Sequence, residues 1–490
     1  MRRLADKLAR LSIPRGRVGS STTPEKVLEK DCPVEGDRAQ TCVEEDACCE
    51  EREEREEREE RLTRLRKMLR NYVPTPSRPS TPSSPRRVAR EPMELPGSQK
   101  DTPLGSLRWV EHILEPDHHH GRVAIARARR IAGATLEALA HDQAWAEVDP
   151  ARLLFLDTET TGLSRGAGTL AFMIGLASFE DDSLVIEQLI LEEPGREAPM
   201  LVRLAERLAE ASGLVTYNGR SYDWPLLSTR FVLNRLAIPL LPPHLDLLAA
   251  ARRVYRPRLG GVRLVRMEEE VLGMRRERDI EGAEIPGLYW SFVRHRDGTG
   301  LRSAIEHNAQ DLVALAGLLA CFGDRYERLN HTDDPRDHLG WARLALRARH
   351  DRRALDFARA AAEGGGAPEL TARAYLFVAD AHRKAGHWPD CQKALKEAVM
   401  VAPKGSLCAS QAHLALAKLL EHRFKNAVAA LEHAQHTSLA EGVEAHARRM
   451  TRLSVRVVRY VSAGNEGEQR GRRRRLASSW GNPSNASRVS

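Results

Sequence analysis

Leu153-Leu154-Phe155-Leu156 followed by Asp157-Thr158-Glu159 is the stretch on which the reading of this chain turns. Four consecutive apolar residues suit a strand buried on both faces, and two carboxylates one residue apart then close it. Side chains at i and i+2 of a strand share a face, so Asp157 and Glu159 present like charges side by side. Such a pair is costly at the mouth of a buried strand unless something positive lies between them. A divalent cation such as Mg²⁺, which prefers oxygen ligands, is the simplest compensation. An Asp and a Glu capping the next turn is the alternative that this tripeptide alone leaves open.

The surrounding segment, 105 to about 330, alternates strand-like and helix-like patterns, as an α/β domain does. Leu153–Leu156, Leu170–Ala177, Leu184–Leu191 and Leu214–Tyr217 read as strands. The turn-like Glu180-Asp181-Asp182-Ser183 makes a hairpin of the second and third. Met200–Ala211 and Leu301–Phe322 have the spacing of amphipathic helices.

Residues 1–104 read as a mostly disordered arm. Val73 to Pro96 is dense in Pro, Ser and Arg and cannot bury enough apolar area to offset chain entropy. Within the arm a charged helix is expected at about 43–73. Glu51, Glu54 and Glu57 each stand four residues before an Arg, and Pro74 ends the pattern. From 338 to 462 the composition shifts to Ala, Leu, His and Arg. Ala354, Ala394 and Ala430 occupy matching places, each followed four residues later by another Ala. A period in the mid-thirties with small residues at helix crossings resembles tetratricopeptide repeats, with a plain helical bundle as the alternative. Residues 463–490 read as a disordered basic tail.

The chain has 490 residues, a net charge of +8 and seven cysteines, four of them in the arm. The length suits two or three domains, and the basic balance is compatible with a polyanionic partner. No run of about 18 apolar residues and no secretory leader is present, and the cysteines form no disulfide framework, so a reduced, cytoplasmic protein is expected.

Two further motifs carry chemistry. Tyr217-Asn218-Gly219-Arg220-Ser221-Tyr222-Asp223-Trp224-Pro225 ends a strand, turns, and sets Asp223 near a helix start, where a carboxylate also serves as a plain cap. Glu306-His307-Asn308-Ala309-Gln310-Asp311 lies within an amphipathic helix, with His307 one turn before Asp311 on the same face. In this order the three motifs resemble the DEDD-type 3′-to-5′ exonuclease superfamily. Within it, they are most similar to the YprB-type ribonuclease-H-like domain of bacterial proteins, which often carries tetratricopeptide-like repeats behind it. The resemblance covers roughly 105 to 325, with His120-Gly121 near its start.

That resemblance implies an α/β ribonuclease-H-like domain over 105–330, a mixed sheet with flanking helices, followed by an all-α tetratricopeptide-like repeat domain. It implies hydrolysis of phosphodiester bonds at a single-stranded 3′ end of DNA or RNA, with two Mg²⁺ or Mn²⁺ ions about 4 Å apart. Asp157 would bridge the ions, Glu159 and Asp311 would complete one site, and Asp223 would act mainly through water at the other. His307 is the candidate proton acceptor. The superfamily's branches place a Tyr four residues, or a His five residues, before the last Asp, whereas here a His stands at four. Thr160 and Asn218 are expected to meet the substrate. Arg256 and Arg258, beside Tyr255, suit either of two roles: following a phosphate backbone while Tyr255 stacks on a base, or a solvated basic segment. Consecutive His118-His119-His120 cannot all converge on one ion. A scaffold acting through its helical repeats and a structure-selective endonuclease are the competing functions. The repeats are the expected site for a protein partner.

Overall fold

The computed structural model describes residues 95–162, 168–277 and 279–459. The charged helix at 43–73 and the basic tail at 463–490 lie outside the described residues.

One mixed sheet is built from β1 (Ser98–Thr102), β2 (Gly105–Leu114), β5 (Leu153–Thr160), β6 (Ala171–Glu180), β7 (Ser183–Ile190), β8 (Gly213–Thr216) and β9 (His244–Asp246). Its seven strands lie in the order β1-β2-β7-β6-β5-β8-β9. The two-residue strands β3 (His119–His120) and β4 (Val123–Ala124) pair separately. β5 runs antiparallel to β6 and parallel to β8, with Leu154 opposite Leu214 and Asp157 opposite Gly175. β6 and β7 form the expected hairpin, turning through Asp181.

Strand alternation divides β5 between two cores. Leu153 and Phe155 belong to one hydrophobic cluster, Leu154 and Leu156 to the other. Each cluster is covered by helices, so the strand reads as an unbroken apolar run. By the same alternation Asp157 and Glu159 continue the first face and Thr158 the second.

Helices α1 (Gly133–Ala140), α2 (Ala198–Glu210), α3 (Asp223–Leu233) and α4 (Leu247–Leu259) each pack on the sheet's cores. After a short helix α5 (Leu264–Met267), a π turn (Glu268–Leu272) and α6 (Ile285–His295) comes α7 (Thr299–Glu327). Leu301, Ala304 and Ile305 of α7 lie in one cluster, and Leu312, Leu315 and Leu319 lie in the other. The helix therefore passes from one core to the other, and His307 to Asp311 sit at the changeover.

The packed chain begins earlier than residue 105. Ser98–Thr102, assigned to unpacked chain, pairs with β2 along its whole length, and Leu95 before it is buried. Its sequence, Ser-Gln-Lys-Asp-Thr, has no apolar alternation because it is an exposed edge strand held by backbone bonds. Thr102 fixes the turn, donating to the Gly105 carbonyl at 2.7 Å.

Beyond 330 the chain is helical: α8 (Pro335–Arg347), α9 (Asp351–Glu363), α10 (Pro368–Lys384), α11 (Trp388–Val401), α12 (Leu407–His422) and α13 (Ala427–Ala434). The matching alanines are buried in alternate helices: Ala354 and Ala358 in α9, Ala394 and Ala398 in α11, Ala430 and Ala434 in α13. Small side chains there let neighbouring helices approach closely.

The helical region packs directly against the helices that cover the sheet. Tyr255 of α4, Phe322 of α7 and Trp341 of α8 form one aromatic group with centroids 5.5–6.0 Å apart. Gly340 of α8 lies so near α4 that a Cβ there would stand 2.6 Å from Val254 Cα. Tyr255 is therefore core, fully buried, and not a platform for a base. Among the described residues no helix is long and apolar enough to cross a membrane.

Candidate active site

The site forms where β5 ends, α3 begins and α7 changes core. Asp157 Oδ2 accepts a hydrogen bond of 2.8 Å from Asn308 Nδ2 of α7. Asn308 is fully buried and is itself held by Gln188 of β7, whose Nε2 donates to Asn308 Oδ1 at 2.9 Å and to the Ile305 carbonyl at 2.7 Å. This chain needs the space at Gly175, opposite Asp157: a Cβ there would lie 2.1 Å from Asn308 Oδ1. Gly175→Ala is accordingly expected to cost about 1–3 kcal/mol, the usual range for overpacking, as read by urea denaturation.

Asp223 opens α3 and reaches the strand from its other face, where Thr158 Oγ1 donates to Asp223 Oδ1 at 2.5 Å. The turn before it is fixed by Asp246. One oxygen accepts from Asn218 N at 2.7 Å and from Leu248 N at 3.1 Å, and the other from Arg220 N at 3.2 Å. Asp246 thus supports the active-site turn and caps α4 at once. Asn218 takes a left-handed conformation, φ +68°, at this turn.

The charges of Asp311 and Asp223 reach both Asp157 and Glu159 at the end of β5. Burial, then the charges of Asp311, Glu159 and Asp223, push the Asp157 carboxyl well above the usual range, against the donation from Asn308. Burial, then Asp311, Asp223 and Asp279, do the same to Glu159, opposed by Arg276. Asp223 is pushed up to about 7, chiefly by burial, with the Thr158 donation opposing. Burial raises Asp311 too, with Arg276 and His307 pulling it down. A partly buried anionic cluster of all-oxygen donors suits a hard divalent cation such as Mg²⁺ or Mn²⁺.

A second set of charges, which no sequence motif signals, flanks Asp311. The buried Arg276 guanidinium places Nη2 2.5 Å from Asp311 Oδ1 and 2.6 Å from Glu268 Oε2, and Nη1 3.1 Å from Asp279 Oδ2. Glu268 Oε1 meets His120 Nε2 at 2.8 Å. His307 Nδ1 meets Asp279 Oδ1 at 2.7 Å, and its Nε2 faces Asp311 Oδ2 across 3.7 Å. Burial raises Asp279, but donation from His307 and Arg276 outweighs it and holds this carboxyl below the usual range. His120 is thus a structural partner of Glu268; Gly121 beside it fits against the Leu272 carbonyl, where a Cβ would come within 2.3 Å.

The carboxylates are near neighbours but not one tight shell. Among the described residues, the one group of three ligand-type side chains whose donor atoms all lie within 4.8 Å of one another is His382, His387 and Asp390, between α10 and α11. That group is poor ground for an ion, because the Arg359 guanidinium stands 3.4 Å from His382 Nε2.

The expected substrate contacts fare differently. Thr160, next to Glu159, is buried, its hydroxyl 3.0 Å from the Gly162 carbonyl and 3.2 Å from the Tyr222 hydroxyl. Asn218 is exposed on the turn that leads to Asp223. Arg258 is engaged by α8: its Nε lies 2.9 and 3.0 Å from the two Asp337 oxygens. Arg256 and Arg258 also stand roughly 15 and 18 Å along α4 from Asp246, at about 1.5 Å per residue.

Residues 154–322 match the RNase_H_2 family of the RNase_H superfamily. The chain is 29% identical over 364 residues to YprB of Bacillus subtilis (strain 168), a match covering 72% of this chain and 84% of that protein. Among solved structures, the family B DNA polymerase of the hyperthermophilic archaeon Pyrobaculum calidifontis aligns with a TM-score of 0.28 and 14% identity. That alignment covers 46% of this chain and only 29% of the polymerase, and it bears on nothing further. Ribonuclease-H-like nucleases generally use divalent metals. Residues 154–322 are therefore similar to a ribonuclease-H-like domain, and a helical region is built onto it.

Proposed function

We propose that this protein is a divalent-metal-dependent 3′-to-5′ exonuclease acting on single-stranded nucleic acid. The observation that carries the reading is the approach of α7 and α3 to the end of β5, where Asn308 holds Asp157, Thr158 holds Asp223, and the charges of Asp223 and Asp311 reach both Asp157 and Glu159. Two divalent cations, held by Asp157, Glu159 and Asp311 and, through water, by Asp223, would supply Lewis-acid stabilisation of charge on the phosphate and the leaving oxygen.

The chain's own residues prepare that chemistry. Asn308 occupies one oxygen of Asp157 and leaves the other for a cation, and Thr158 does the same for Asp223. His307 turns Nε2 toward Asp311 from the same helix, where it can accept a proton from an attacking water. Attack at phosphorus breaks the bond to the 3′ oxygen of the penultimate nucleotide, which leaves with a proton. The product is a nucleoside 5′-monophosphate. The helical repeats behind the domain offer surface for a protein partner.

The test is incubation of 5′-labelled DNA and RNA oligomers with Mg²⁺ or Mn²⁺, beside a circular single strand. A ladder from either linear oligomer with the circle intact is expected. Cleavage of the circle would instead indicate an endonuclease, and folded protein that leaves every strand intact would refute a nuclease reading.

A further inference from the structure

We infer that Asp279 is a positioning residue for His307, fixing which ring nitrogen carries the proton, and that Arg276 locks this pair to Asp311; the inference deepens the exonuclease reading and rests on it for its catalytic meaning. An ionised carboxylate only accepts hydrogen bonds, so at 2.7 Å from Asp279 Oδ1 the His307 Nδ1 must be the donor. In the neutral ring the lone pair then lies on Nε2, the nitrogen facing Asp311 Oδ2 across 3.7 Å. That separation is too long for a direct hydrogen bond, but a water lying alongside can contact both groups.

Asp279 is not free to swing. The Ile280 backbone N–H donates to its Oδ1 at 2.9 Å, and Arg276 Nη1 to its Oδ2 at 3.1 Å. Arg276 is in turn anchored: its side chain is 2% exposed and its Nη2 lies between Asp311 and Glu268. Glu268, fully buried, is braced by His120. One guanidinium therefore sets the spacing between the carboxylate that orients His307 and the carboxylate that His307 faces. A histidine whose second nitrogen is bound by a carboxylate is the general arrangement by which an imidazole is held ready to accept a proton.

Two measurements on the full-length chain test this. In the first, ¹⁵N-histidine NMR of the metal-free protein, with His307 assigned by its loss in His307→Gln, should show the neutral form of the ring protonated on Nδ1. Asp279→Asn should shift it toward the Nε2-protonated form. In the second, Asp279→Asn should lower kcat roughly 10- to 100-fold, the usual size for losing such a partner, with KM and the Mg²⁺ dependence unchanged. Asp279→Glu should recover part of the loss, and Asp279→Asn should add little to His307→Gln. A His307 protonated on Nε2 in the wild type overturns the inference, as does wild-type kcat in Asp279→Asn. If the wild type cleaves nothing, the exonuclease reading falls by itself, and the NMR result still decides the pairing.

Discussion

Asp157→Asn is expected to reduce kcat/KM for 3′-end cleavage by at least about 10³-fold. That ratio corresponds to about 4 kcal/mol of lost transition-state stabilisation, within the several kcal/mol that metal-assisted charge neutralisation supplies. Asn keeps the side chain's shape, and its carbonyl can still accept from Asn308, so the local packing should survive. The variant also removes one of the mutually repelling buried charges. Its metal-free melting temperature should therefore match or exceed the wild type's, while its gain on adding Mn²⁺ should largely vanish. Steady-state cleavage rates and thermal melts with and without Mn²⁺ check both halves. Loss of activity together with loss of the fold would leave Asp157 as a structural residue.

The second large effect is a pH-dependent instability of the metal-free protein. A carboxyl whose folded pKa is raised binds protons more tightly when folded, so its contribution to stability falls as pH rises toward and past that value. For Asp223 the interval runs from the unfolded value near 4 to about 7. Full ionisation should then cost on the order of a few kcal/mol. Asp157 and Glu159, also raised by burial, add to this in the same direction. Buried neutral histidines act the opposite way: His244 and His413 are lowered to about 4, chiefly by burial, and destabilise the fold as pH falls below 6.5. The clean comparison is therefore wild type against Asp223→Asn in EDTA between about pH 6.5 and 8.5, above the histidine range. The stability advantage of Asp223→Asn should grow with pH across that window, and Mn²⁺ should restore the wild type. A difference that stays flat with pH would show that Asp223 ionises without cost.

How far the sequence reveals this site depends on how local the determinants are. Asp157 and Glu159 are legible because strand alternation puts them on one face, and Asp311 because it interrupts an apolar helical stripe. The hairpin through Asp181 and Asp182 follows from turn chemistry. The supports are not legible, since they meet only in three dimensions. Gly175, Gln188 and Asn308 come from two strands and a helix, and the one available signal is Gln188, a polar residue within the apolar strand β7. Arg276 and Asp279 sit among other charges around Arg275-Arg276-Glu277, where the sequence does not distinguish a buried guanidinium from a solvated one. Tyr255 and Arg258 mislead for the converse reason. A basic, aromatic stretch suggests nucleic acid until a later helix supplies Trp341 and Asp337 to bury and pair it. The strand at Ser98–Thr102 has no side-chain pattern to find, because backbone pairing alone makes it a strand.

The most direct test of the central claim is a crystal structure with Mn²⁺, read by anomalous scattering. A peak bounded by Asp157, Glu159 and Asp311 is predicted, with Arg276 still paired to Asp311 Oδ1. A map with no peak among these carboxylates at saturating Mn²⁺ would contradict the claim.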